Sequence, residues 1–179
     1  MSELSHGVEQ VIVARASDIG GLMVRRALPV AGRRMVGPFI FLDEMGPATF
    51  APGEGLDVLP HPHIGLSTVT YLFDGALAHR DSTGVTQIVR PGELNLMTAG
   101  RGVVHSERSP AQERVGGRLH GAQLWMALHR ALEDSAPSFA HFAVGALPRL
   151  VAEGKRVRLV LGAAYGEESP VETPTDCVF

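Results

Sequence analysis

The chain of 179 residues is 45% hydrophobic and 20% charged, the make-up of a folded globular protein and not of a disordered one. Its 21 glycines and 12 prolines follow no period, which excludes collagen and favours a turn-rich, strand-rich fold. A net charge of −3 argues against direct DNA or RNA binding, and a single cysteine, Cys177, excludes an internal disulfide framework and a thiolate metal cage.

Met1 to Gln10 carries neither a positive nor an apolar leader region, and no apolar run is long enough to span a bilayer. The expectation is a cytoplasmic protein with no membrane contact. Strands are predicted at Val11–Val13, Gly37–Leu42, Leu66–Phe73, Thr86–Val89, Leu94–Thr98, Gln123–Leu128 and Val157–Leu161, each rich in Val, Ile, Thr, Leu or aromatics. Turn signals such as Pro52-Gly53, Asp74-Gly75, Thr83-Gly84 and Pro91-Gly92 bound them. Short strands at this spacing point to an all-β sandwich or barrel. The best helical stretch, Leu128–Asp134, is cut off by Pro137. Polar and turn residues at Glu133–Pro137 mark a boundary, giving an expected domain over 1–134 and a segment over 135–179. That segment is too short for an independent β-domain, so it is expected to pack on the first domain or on a second copy of the chain.

The chemistry concentrates in two short motifs. In a strand, residues i and i+2 share a face, so the imidazoles of His61-Pro62-His63 reach one ion, and Pro62 suits an edge strand. His105-Ser106-Glu107 repeats the spacing with an imidazole and a carboxylate. Together the pairs supply His61, His63, His105 and Glu107, three nitrogens and one hard oxygen. Such a set suits Fe(II), Mn, Ni, Cu(II) or Zn, and is close to the facial arrangement of two histidines and a carboxylate in non-haem iron oxygenases. An octahedral ion on these four would keep two positions open for substrate and dioxygen; a closed tetrahedral structural zinc is the rival reading.

Other polar residues are read more plainly. His79 with Arg80-Asp81 either orients a ligand imidazole or forms a turn-anchoring ion pair, and the latter is preferred. Arg25-Arg26, Arg33-Arg34, Arg101 and Arg108 are read as exposed charge, and Asp43-Glu44 as a strand-end turn. Phe73, Met97, Trp125 and Met126 could line an aromatic-sized pocket, but in a β-barrel such residues are more often core. His120, His129 and His141 have no partner at ligand spacing.

The run from His61-Pro62-His63-Ile64-Gly65-Leu66 through Thr68-Val69-Thr70-Tyr71 and His79-Arg80-Asp81-Ser82 resembles the signature of the pirin family of bicupins. So does Met97-Thr98-Ala99-Gly100-Arg101-Gly102-Val103-Val104-His105-Ser106-Glu107, followed by Gln123-Leu124-Trp125. The resemblance implies a jelly-roll cupin barrel and then a partial second cupin, with the metal, usually iron, held by His61, His63, His105 and Glu107. It implies one of two roles. The first is a metal-dependent dioxygenase acting on quercetin or a related flavonol, with Glu107 as ligand and as the base for the substrate hydroxyl. The second is a non-enzymatic, metal- or redox-dependent regulator of a protein partner. Ile64, Leu66 and Ser67 depart from the commoner pirin pattern of Arg, Phe and Glu, which leaves Glu107 to supply the carboxylate. A typical member is also longer, so the second barrel is expected to be incomplete and the tail to cover an open edge, on its own domain or in a homodimer.

Overall fold

The computed structural model describes residues 8–19 and 21–179. The described regular structure is strand throughout, apart from two 3-10 turns at Ala111–Glu113 and Arg130–Leu132. The strands are β1 (Arg15–Ile19), β2 (Leu22–Leu28), β3 (Phe39–Phe50), β4 (Asp57–His63), β5 (Leu66–Asp74), β6 (Leu77–Asp81), β7 (Thr86–Val89) and β8 (Leu94–Thr98). They continue with β9 (Val103–Arg108), β10 (Gly117–Ala127), β11 (Ser138–Phe142), β12 (Arg149–Ala152), β13 (Lys155–Arg158), β14 (Ala163–Ala164) and β15 (Glu167–Glu168).

A seven-stranded sheet has the order β1-β2-β3-β10-β5-β8-β11, and a four-stranded sheet the order β4-β9-β6-β7. From β3 to β10 the chain alternates between them: β3, β5, β8 and β10 lie in the larger sheet and β4, β6, β7 and β9 in the smaller. The two remain separate hydrogen-bonded sheets, so the cupin expected as a barrel is a cupin-like β-sandwich with its edges unjoined.

Strand alternation decides what each face holds. In β5, Val69 and Tyr71 turn one way and Leu72 the other, and all three are buried. Leu72 packs with Leu22, Val24 and Met45 from the large sheet and with Leu77 and Val89 from the small one, closing one end of the sandwich. Met97, Val103 and Phe139 close the opposite end. Between these plugs the inner face carries polar side chains such as Asp43, His105, Glu107 and Gln123 beside the apolar Phe41 and Trp125, and the candidate site sits there. The outer face of the large sheet carries Val69, Leu94, Leu96, Leu124 and Met126, which pack against Leu147, Val160, Leu161 and Val171 from the C-terminal segment. That segment therefore lies on its own sheet, and β11, beyond the expected boundary, pairs with β8 in register from Ser138↔Thr98 to Phe142↔Leu94.

Several sequence expectations are corrected. Val11 and Val13 lie outside any strand and are 65% and 80% exposed, because no neighbouring strand pairs with them. β2 went unpredicted because Arg25-Arg26 masks the buried Leu22, Val24 and Leu28. The stretch Leu128–Asp134 forms only a 3-10 turn, begun by His129, whose Nδ1 accepts from the Ala131 amide at 3.3 Å. Leu159–Leu161 is not strand; the amides of Val160 and Leu161 bond instead to the Phe179 carbonyl.

Candidate metal centre

β9 is the central strand of the site, flanked by β4 and β6. Its register sets His105 opposite His61 on one side and Asp81 on the other, and sets Glu107 opposite Val58 and His79. The β4–β9 pairing is irregular between Val58 and His61, and this break in the ladder brings His61 level with His105. β4 is an edge strand, which accommodates Pro62 and its missing amide. Gly65, at φ 66°, and Gly100, at φ 51°, make the tight crossing between the two ligand strands, with the Gly65 amide donating to the Gly100 carbonyl at 2.8 Å.

His61, His63 and His105 come together as expected. Each offers a ligand nitrogen, and these nitrogens lie within 4.8 Å of one another. The ring centroids are 4.5 Å apart for His61–His105 and 4.9 Å for His63–His105. His61 donates from Nδ1 to the Leu59 carbonyl at 2.8 Å, which leaves its Nε2 lone pair free. Nε2 of His63 and Nε2 of His105 are buried with no hydrogen-bond partner among the described residues. Orphaned buried nitrogens are costly, and three convergent imidazole lone pairs are what a divalent transition metal requires. The residues present therefore fit the metal read from the sequence.

Glu107 lines the same cavity as the three histidines. Its carboxylate groups with His79 and His105, again with ligand atoms within 4.8 Å. Thr70 Oγ1, reaching across from the large sheet, lies 2.9 Å from Glu107 Oε1 and 2.9 Å from the Gln123 amide oxygen. Burial pushes the Glu107 carboxyl up, against the opposing pull of the Thr70 hydroxyl and of His79 and His61. Burial, with the neighbouring His61, lowers His63 to about 4. Burial, with His61, His63 and His79 around it, lowers His105 to about 3. Both imidazoles are thus neutral, as ligands must be, at ordinary pH.

His79 is only 3% exposed, and its Nε2 lies 2.9 Å from Asp81 Oδ2. Asp81 does anchor the turn, accepting from the Thr83 amide at 2.8 Å, but the pair also faces His105 and is not merely a turn device. Two other readings are overturned. Asp43 is inside β3 and 1% exposed, and Arg26 holds it with two bonds of 2.8 and 2.7 Å while its Cζ sits 4.5 Å over the Phe41 ring. Arg26, Phe41 and Asp43 line the same cavity as the histidines. The signal that could have found them is complementarity: the doublets Arg25-Arg26 and Asp43-Glu44 pair in register across β2 and β3. Of the four apolar candidates, Trp125 lines the cavity, stacked on Phe41 at 4.1 Å and edge-on to His63 at 4.9 Å. Met97 and Met126 are core, and Phe73 is 52% exposed. His120 bonds Glu44 and His141 bonds Asn95, so neither is a ligand here.

A cupin-like sandwich with three imidazoles converging from two paired strands is a cupin whose residues could hold a metal ion. The pirin family model matches residues 21–126, and the chain belongs to that family. It is 49% identical over 172 residues to a pirin-like protein of Caulobacter vibrioides, covering 93% of this chain and 60% of that one. It is 48% identical over 162 residues to a candidate quercetin 2,3-dioxygenase of Pseudomonas aeruginosa, covering 90% of this chain and 50% of the relative. Among solved structures it is similar to a quercetin 2,3-dioxygenase of Acinetobacter baumannii, with a TM-score of 0.85 and 41% identity over 90% of this chain and 52% of that one. The chain thus spans about half the length of the relatives it matches.

Proposed function

We propose that the chain carries a metal-dependent dioxygenase site acting on quercetin or a related flavonol, with Fe(II) as the first metal to test and Mn, Ni, Cu and Zn beside it. His61, His63 and His105 hold the metal as neutral ligands, and Glu107 is the adjoining carboxylate. The metal, when bound, supplies Lewis-acid polarisation of a substrate oxygen. The observation that carries the reading is the cavity itself. It has a volume of about 250 Å³ and runs from the ligand nitrogens along Phe41, Leu56, Val58 and Trp125. That is a little below the usual ligand-pocket range of about 300–1,000 Å³. It suits a flat aromatic molecule, with the Trp125 and Phe41 rings as its apolar wall. In this reading Glu107, buried and with its proton affinity raised, takes the proton of the substrate hydroxyl. Thr70 steadies the carboxylate through its 2.9 Å contact.

The test is dioxygen uptake with quercetin on protein loaded separately with each metal, alongside His105→Ala. Uptake with a single metal, abolished in the variant, is expected. Metal bound without turnover for any ion overturns the dioxygenase reading. The second reading, a metal-dependent regulator of a partner protein, is favoured by apolar side chains exposed beside the ligand strands: Leu59 at 64%, Ile64 at 69% and Val104 at 43%.

A further inference from the structure

Behind His105 stand two buried groups, His79 and Asp81, outside the proposed ligands His61, His63, His105 and Glu107. Asp81 Oδ1 accepts from the Thr83 amide at 2.8 Å, the Thr83 hydroxyl at 2.6 Å and the Val85 amide at 3.2 Å. Its other oxygen, Oδ2, lies 2.9 Å from His79 Nε2. A carboxylate so surrounded by donors only accepts, so the proton between them sits on His79 Nε2. A neutral imidazole has one N–H, so His79 Nδ1 carries a lone pair. That atom lies 3.3 Å from His105 Nδ1. The contact is satisfied when His105 carries its proton on Nδ1, and its Nε2 is then a bare lone pair, the same buried atom that has no partner among the described residues. The His79 ring is held in place by Phe139, with centroids 4.6 Å apart and planes 32° from parallel.

We propose that His79 and Asp81 are a positioning pair: Asp81 fixes the tautomer of His79, and His79 fixes the tautomer of His105, so that the Nε2 lone pair of His105 is turned permanently into the metal cavity. The role of the pair rests on the metal reading of the site, whereas the tautomers themselves exist without metal. Partners of this kind set ligand orientation and basicity, and their loss costs about 10–100-fold in metal affinity. The arrangement departs from the commoner pattern by using a second imidazole as an intermediary between the carboxylate and the ligand.

The first readout is the two-bond proton–nitrogen correlation of the histidine rings in the metal-free wild-type chain. His105 is expected protonated at Nδ1 and bare at Nε2, with His79 the reverse. The second is Zn(II) affinity, by chelator competition, of wild type, Asp81→Asn, His79→Ala and His79→Asn. In Asp81→Asn the Oδ1 acceptor still anchors the turn while the amide donates to His79 Nε2, inverting both tautomers; a loss of about 10–100-fold is expected. In His79→Asn the Oδ1 atom stands near the old Nδ1 and accepts from His105, so this variant is expected to bind more tightly than His79→Ala. His105 protonated at Nε2 in the wild type, His79 protonated at both nitrogens, or unchanged Zn(II) affinity in Asp81→Asn overturns the proposal. If the tautomers are as stated but no metal binds, the metal reading fails and the tautomer assignment stands.

Discussion

Nε2 of His63 and Nε2 of His105 are both buried without a partner among the described residues, and their rings lie 4.9 Å apart. Two unpartnered nitrogens facing one small space are a penalty in the metal-free protein and an asset in the loaded one. An unsatisfied buried polar group costs about 1–3 kcal/mol. His63→Leu is therefore expected to leave metal-free stability within about 1 kcal/mol of wild type, because an orphaned polar atom goes with the ring. The same variant should lose the stabilisation that metal confers, about 2.7 kcal/mol at a hundredfold excess over the dissociation constant. Thermal unfolding with and without Ni(II) or Zn(II) checks both halves. A metal-dependent rise in Tm that survives in His63→Leu would remove His63 from the ligand set.

The same burial makes the metal-free protein sensitive to mild acid. His63 is held at about 4 and His105 at about 3 in the fold, against about 6.5 when unfolded. As the pH falls below about 6.5 the unfolded chain takes up protons that the folded chain refuses, so stability is full above that value and declines toward about 4. Each such histidine contributes a slope of up to about 1.4 kcal/mol per pH unit. Glu107 acts in the opposite sense, because its raised proton affinity favours the folded state at low pH. Urea unfolding between pH 4 and 7.5 should show a falling unfolding free energy, less steep in His63→Leu; a flat profile contradicts the burial argument.

Asp43 and Arg26 form the wall of the cavity opposite the ligand strands, and the pair is unequal in exposure: the Asp43 side chain is at 2% and that of Arg26 at 26%. Removing a buried partner costs about 3–5 kcal/mol, and the partial exposure of Arg26 puts Asp43→Ala at the low end, about 3 kcal/mol. Asp43→Asn, which keeps one acceptor, should cost less. Urea denaturation of the two variants decides, and equal stability of Asp43→Ala and wild type would show the pair to be structurally idle.

Gly100 has φ 51°, and a Cβ there would run into the Ser135 carbonyl oxygen. That carbonyl also accepts from the Arg101 amide at 2.9 Å, tying the segment before β11 to the entry of β9. Gly100→Ala is expected to cost about 2–3 kcal/mol, from left-handed strain and displacement of backbone. It should also weaken metal binding, because β9 carries His105 and Glu107. Loss of stability alone, with metal affinity intact, would mean the strand entry does not set the ligand geometry.

The sequence by itself determined the all-β class, the spans of β7 and β8, and the histidine triad, because these follow from local rules: turn residues punctuate, and i and i+2 share a strand face. It did not determine what stands behind or opposite those ligands. Asp43 read as a turn because its doublet is polar, yet β2 supplies the guanidinium that lets a carboxylate be buried in mid-strand. His79 read as a turn anchor because Asp81 is its neighbour at i+2, and only the β6–β9 register reveals His105 beside it. That His105 groups with His61 and His63 on one hand and with His79 and Glu107 on the other is likewise a product of β9 lying between β4 and β6. Strand spacing fixes which residues share a face, but which faces meet depends on strand order and register. Those are settled by packing both sides of the large sheet at once, against the small sheet and against the C-terminal segment.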